Sequence, residues 1–275
     1  MDQYNFLGTM LQIAREAGDG ARVIQRSGRL GVTNKEGVFG THFLTEADTA
    51  SERIILSRLN EAFPDAPIVS EEKENDSTIP PDAFLVDPID GTPCFIHGCD
   101  EWGVMLTKLH HHVPEVAVVY VPGRELLAHA VRGRGCYLNN KRIVLGAWPQ
   151  ELRDKTLLGI ELGPWWAKEL LPTTVLLPLL ERFAIRSVLS GAYGTIAMLR
   201  GETQAWVNLN VGWPWDFAPG HLFIKEAGGW VSGPDGRELE FKRVEHMDVV
   251  YAASEEMAQQ ILALTTRWDR PHLAH

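Results

Sequence analysis

The sequence predicts a mixed α/β protein built from two linked halves. Three observations lead there. Apolar residues recur at helical spacing near the N-terminus, short β-type runs fill the middle, and strand and helix patterns alternate through the C-terminal half. At 275 residues the chain is long enough to bury a substantial core. Its 45% hydrophobic and 23% charged content place it among ordinary soluble globular proteins.

Leu7, Met10, Leu11, Ala14, Ala21 and Ile24 share one helical face, which predicts a helix over about residues 5–26. A glycine-rich loop with a basic residue, GVTNKEGVFGTHF (31–43), follows. Thr45 as cap, with Glu46 and Asp48 in the first turn, opens a second helix over 45–63 that Pro64 ends. PIVSEE then reads as a short strand running into an acidic tip, and FLVD as a buried-type strand entering a turn. EWGVMLTKL, EVAVVYVP, ELLAHAVRG and GCYLNNKRI predict an antiparallel meander. GAWPQELRDK (146–155) is the expected seam between an N-terminal α+β half, 1–147, and a C-terminal α/β half, 148–275. Beyond it come TLLGIEL, a helix through 174–183, IRSVL, a helix through 192–200, and QAWVNL. PWDFAPGHLFIKEAGG supplies the last helix, closed by Gly228–Gly229 with a strand behind it.

A net charge of -10 argues against a nucleic-acid partner, because phosphate backbones are met by basic surfaces. Phosphate esters remain open if a metal supplies the local positive charge. No stretch predicts a membrane span, since the most apolar one, 170–189, is broken by Pro172, Pro178 and charges. Cys94, Cys99 and Cys136 show no zinc-type spacing, and the N-terminus reads as an amphipathic helix rather than a signal peptide. Reduced, inert thiols and a cytoplasmic location are therefore expected. His110, His111 and His112 are expected in an exposed turn, where three adjacent imidazoles cannot all face one ion.

The chemistry concentrates in DPIDGTPCFIHG, residues 87–98. Two aspartates three apart at a strand end repel each other unless a cation lies between them. Hard divalent ions such as Mg²⁺ take carboxylate and carbonyl oxygens, so Asp87, Asp90 and the Ile89 carbonyl can converge on one. Thr92 and Pro93 fit the cap and first position of a helix whose N–H groups face an anion, with Gly91 permitting close approach. Glu71 at the preceding strand end, Asp48 in a first helical turn and Asp216 opening a later helix stand where α/β folds build sites. Metals, an anion cradle and a hydroxyl to orient water suggest phosphate-ester hydrolysis. Singly, each motif is as easily a surface turn, a solvated tip or a helix cap; their joint occurrence in order carries the reading.

VSEE, FLVDPIDGTPCFIHG and PWDFAPGHLFIKEAGG resemble the signature segments of the inositol monophosphatase family of Mg²⁺-dependent, lithium-sensitive phosphatases, and GRGCYLNNKRI is similar to that family's hairpin. The likeness implies a layered αβαβα sandwich of the kind also found in fructose-1,6-bisphosphatases, commonly as a homodimer. It implies two or three Mg²⁺ ions. Glu71, Asp87 and Ile89 would hold the first, Asp87, Asp90 and Asp216 the second, and Glu71 would reach a weaker third. Thr92, paired with Asp48, would orient the attacking water, Gly91 and Thr92 would bind phosphate, and Lys35 would match a basic loop residue. No phosphoenzyme is implied.

Departures from the pattern concern the substrate. AWVNLNVGWPWD (205–216) holds no acid ahead of Asp216, where inositol-specific members carry a Glu that grips ring hydroxyls. Asn208 or Asn210 is left to bind a hydroxyl there, and Trp213 to line the mouth. Ser190 and Gly191 match a sugar-contacting segment loosely. GCDEWGVML is similar to a segment of the histidinol-phosphate phosphatases. The expected substrate is thus a small polyol, sugar or amino-alcohol phosphate, with histidinol phosphate or a specialised sugar or cyclitol phosphate as contenders. A non-catalytic binding module on the same fold is the rival from another class.

Overall fold

The computed structural model describes residues 3–37, 40–73, 76–146, 156–161 and 173–265. The N-terminal helix, α1 (Gln3–Ser27), and α2 (Glu46–Ala62) follow the predicted bounds closely. Thr45 caps α2 by accepting from the N–H groups of Ala47 and Asp48. Between the helices the expected loop forms a two-stranded ribbon, β1 (Thr33–Gly37) against β2 (Gly40–Leu44). Its glycines and mixed polar residues carry no period-2 signal, so the pairing is invisible to pattern reading.

The central meander is a seven-stranded sheet in the order β3-β4-β5-β6-β7-β8-β9. Its strands are β3 (Ile68–Ser70), β4 (Phe84–Asp90), β5 (Gly103–His110), β6 (Val113–Val121), β7 (Leu126–Val131), β8 (Gly135–Leu138) and β9 (Lys141–Ile143). All neighbours are antiparallel except β3 and β4, which run parallel. The second sheet has the order β11-β10-β12-β14-β13, from β10 (Leu157–Glu161), β11 (Ala184–Ser187), β12 (Ala205–Gly212), β13 (Trp230–Ser232) and β14 (Met247–Ala252). The parallel strands β11, β10 and β12 are linked through α4 (Thr173–Arg182) and α5 (Gly191–Leu199). Helix α4 continues through Pro178.

Strand alternation sorts the core into layers. Phe84, Val86, Val104, Leu106, Val116 and Val118 face α1 and α2, where Met10, Ala14, Ile55 and Leu59 meet them. Their neighbours Leu85, Met105, Ala117 and Val119 face the other way, onto α5 and α6 (Pro214–Glu226). The far side of those helices packs on Trp206, Val249 and Tyr251 of the second sheet. Ala205, Val207, Val250 and Ala252 then point outward to α4 and α7 (Glu255–Thr265). The stack is α, β, α, β, α. The 147/148 division and the expected seam beyond Gly146 fall on residues outside those described.

The middle layer is tight at Gly220 of α6. A Cβ there would lie 2.6 Å from Tyr251 Cε2 and 2.8 Å from Thr195 Oγ1. The Tyr251 hydroxyl, which donates to the Phe217 carbonyl at 2.8 Å, holds the ring in place. Gly220→Ala is expected to cost about 1–3 kcal/mol by overpacking. The urea midpoint reads this, and an unchanged midpoint would mean that the two helices can separate freely.

Candidate active site

Strand β4 ends in the two aspartates. A register shift against β5 between Asp87 and Asp90 bends the strand there. Asp87 is buried, and its Oδ1 accepts the Ile89 N–H at 2.9 Å. Gly91 follows with φ 86°, and its missing Cβ would lie 2.8 Å from the Ser190 Cβ. Glycine is needed there twice over, for the left-handed turn and for the contact. The short helix α3 (Thr92–Ile96) begins next. Gly91 is its cap, with Thr92 and Pro93 in the first two helical positions, so the cap expected of Thr92 moves back one residue. The Thr92 hydroxyl instead donates to the Ile89 carbonyl at 3.2 Å.

Asp216 lies in the first turn of α6, where its Oδ2 accepts the Trp213 N–H at 2.7 Å. Carboxylate oxygens of Asp87, Asp90 and Asp216 come within 4.8 Å of one another. Glu71, just past β3, is hydrogen-bonded to Asp87. Such a set is expensive in water-poor surroundings. Loss of water first, then Asp216 and Glu72, hold the Glu71 carboxyl well above its usual range. Burial followed by Glu71, Asp90 and Asp216 does the same to Asp87, and burial followed by Asp90 does so to Asp216. An all-oxygen, mutually repelling donor set is what a hard divalent cation satisfies, so the residues fit Mg²⁺.

Asp90 has a second engagement that sequence reasoning missed. Its Oδ2 accepts from the Ser190 hydroxyl and from the Ala192 N–H at 2.7 Å, and its Oδ1 from the Gly191 N–H at 3.2 Å. Ser190 is in turn the N-cap of α5, accepting from the Tyr193 N–H at 3.1 Å. Ser190 and Gly191, expected to contact a sugar, thus orient a carboxylate. Burial raises the Asp90 carboxyl, while the bonds from Ser190, Ala192 and Gly191 pull it back.

Asp48 is buried in α2, and its Oδ2 accepts from the Thr45 N–H at 2.7 Å and the Thr45 hydroxyl at 2.6 Å. These bonds tie it to its own helix start, so the bonds of Asp48 and Thr92 run to Thr45 and Ile89 respectively. Burial outweighs the Thr45 bonds and, with Glu72, brings the Asp48 carboxyl up to about 6. Trp213 is half-buried and packs on His246, with ring centroids 4.0 Å apart, and on Trp215 at 5.6 Å. Lys35 and Asn210 lie in β1 and β12, but their side chains are outside the described residues.

A further acid belongs to the site. Glu161 ends β10, and the Asn208 amide donates to its Oε2 at 2.6 Å. Burial and Asp90 push its carboxyl up to about 8 against the pull of Asn208. The available signal was a glutamate closing an apolar run that reads as a parallel strand. Elsewhere, burial pushes the Cys94 and Cys136 thiols up to about 12, which suits inert cysteines. His110 and His111 lie exposed at a hairpin turn, with His110 Nδ1 2.7 Å from Asp82 Oδ1. Among the described residues no helix is long and apolar enough to cross a membrane.

A five-layer αβαβα sandwich with acids converging where the first sheet meets α5 and α6 defines the class of molecule. The inositol monophosphatase family model matches residues 6–269, and the chain belongs to that family. It is 31% identical to inositol monophosphatase 1 of Solanum lycopersicum over 243 residues, covering 86% of each chain. It is 33% identical to the Nus factor SuhB of Escherichia coli strain K12 over 194 residues, 69% of this chain and 71% of that one. The extragenic suppressor protein SuhB of Bartonella henselae superposes with a TM-score of 0.81 at 24% identity, over 95% of this chain and 98% of that one. The family is Mg²⁺-dependent.

Proposed function

We propose that the chain is a Mg²⁺-dependent phosphomonoesterase acting on a small polyol, sugar or amino-alcohol phosphate. The observation that carries this is the convergence of Asp87, Asp90 and Asp216 with Glu71 hydrogen-bonded beside them. Glu71, Asp87 and the Ile89 carbonyl would hold one ion, and Asp87, Asp90 and Asp216 a second, with Glu71 reaching a third. Mg²⁺ bound there would supply positive charge for the phosphoryl oxygens and would make water more acidic. The chain's own groups do the rest. Gly91 and Thr92 offer N–H groups to the phosphate. The Thr92 hydroxyl, donating to Ile89, keeps its lone pairs to receive a water, and Asp48 at about 6 is matched to accepting a proton near neutral pH. Trp213 walls the mouth. The protein acts as a cytoplasmic homodimer without nucleic acid or membrane partners.

A binding module is the second reading, favoured by the relatives in E. coli and Neisseria meningitidis that are named Nus factor SuhB or putative Nus factor SuhB. One assay separates the two. Phosphate release is measured over inositol 1-phosphate, histidinol phosphate, sugar phosphates, fructose 1,6-bisphosphate and 3′-phosphoadenosine 5′-phosphate, with Mg²⁺, without it, and with lithium added. Release that needs Mg²⁺ and is suppressed by lithium is expected. Silence across the whole panel with Mg²⁺ present would favour the binding module.

A further inference from the structure

Glu161 stands at the C-terminal end of β10, the end at which parallel strands present groups to ligands. It is in register with Asn208 on β12. Asn208 is 2% exposed, and while its amide nitrogen is used by Glu161, its Oδ1 is buried with no hydrogen-bond partner. Buried amides normally satisfy both ends, so this acceptor is open to a further donor. The charge of Glu161 is felt by Asp216 and by the Cys94 thiol, and it feels that of Asp90. The Val188 N–H donates to the Ile160 carbonyl at 3.0 Å, and Ser190, two residues further on, donates to Asp90, so the end of β10 lies beside the acid cluster.

Glu161 is not one of the three acids whose oxygens converge within 4.8 Å. Among the described residues, the groups acting on it are a carboxylate, Asp90, and an amide, Asn208, with no cationic side chain. A half-buried acid in that position keeps its proton unless a ligand brings the opposite charge.

We propose that Glu161 and Asn208 form a subsite for a protonated amine on the alcohol part of the phosphate ester. An ammonium brings the charge and three donors, enough for a Glu161 oxygen and Asn208 Oδ1 together. A neutral hydroxyl brings one donor and no charge. The acid absent from 205–216 is thus supplied by the neighbouring strand. The inference rests on the phosphatase reading and narrows it to amino-alcohol phosphates.

The test uses a matched pair, serinol phosphate and glycerol 3-phosphate, which differ by an ammonium in place of a hydroxyl. The wild-type protein with Mg²⁺ should favour serinol phosphate by about 10-fold or more in kcat/KM, expressed in KM. In Glu161→Gln that ratio should fall to within about 3-fold of one. Equal use of the two esters by the wild type, or a preference that survives in the variant, overturns the subsite. So does a shifted Mg²⁺ half-saturation with the preference intact, which would make Glu161 a metal ligand. Calorimetric titration of free serinol and glycerol, with Mg²⁺ and inorganic phosphate present, reads the subsite without turnover. Serinol binding that is lost in Glu161→Gln, with neither ester hydrolysed, would sink the phosphatase reading and keep the subsite. Serinol bound no better than glycerol sinks the subsite itself.

Discussion

In Asp87→Asn, Mg²⁺-dependent phosphate release is expected to fall about 10³-fold, while the metal-free protein melts higher than the wild type. The two effects have one origin. Asp87 sits at the centre of the cluster, hydrogen-bonded to Glu71 and repelled by Glu71, Asp90 and Asp216. An asparagine keeps the acceptor for the Ile89 N–H, which is now 2.9 Å from Asp87 Oδ1, and gives two N–H donors to its acidic neighbours. Without metal the exchange relieves repulsion; with metal it would remove one of the carboxylates that would hold the ion. Asp90→Asn should lose activity as well but gain no stability. Its carboxylate receives the Ser190, Gly191 and Ala192 donors at the start of α5, which an amide meets less fully. Phosphate release and thermal melting with and without Mg²⁺ decide the matter. A metal-free Asp87→Asn that melts lower would mean that the acids are not in mutual repulsion, and full activity would remove Asp87 from the site.

The difference between the two aspartates also marks what a sequence can disclose. DPIDG at a strand end, SEE at another and WD opening a helix are local patterns, each readable because its residues are neighbours in the chain. The layer order came from the family resemblance, and the strands agree with it, since β4, β5, β6, β12 and β14 are near-continuous apolar runs buried on both faces. The Asp90–Ser190 bond joins residues a hundred positions apart and exists only once α5 is packed against the end of β4. Glu161 and Asn208 meet through a parallel register that no local pattern specifies. The ribbon at 33–44 and the cap at Gly91 were lost to finer causes. One lacks an apolar period, and in the other a glycine's positive φ placed the helix start a residue earlier than the threonine suggested.

The metal-free protein should lose stability as pH rises from about 4.5 to 8, and saturating Mg²⁺ should remove most of that slope. Glu71, Asp87, Asp90 and Asp216 all bind protons more tightly folded than their ordinary values of 4.5 and 3.8 allow, chiefly through burial. Below the ordinary values both states are protonated and the contribution is fully present. As pH climbs through the raised folded values, the native chain gives up protons it held more tightly than the unfolded chain, and the contribution is lost. The window passes Asp48 at about 6 and reaches Glu161 at about 8. Below it, Asp82 and Glu238, held low by His110 and Lys225, act in the opposite sense as they take up protons, weakly because they are exposed. Mg²⁺ competes with protons for the four cluster acids but not for Asp48 or Glu161, so a shallow slope should persist from about pH 4 to 8 in the loaded protein, carried above pH 6 by Glu161 alone. Its upper part should vanish in Glu161→Gln. Melting temperatures at several pH values, with and without Mg²⁺, read all of this. A metal-free profile as flat as the loaded one would mean that the acids are already compensated within the chain, leaving the cluster no electrostatic need for a cation.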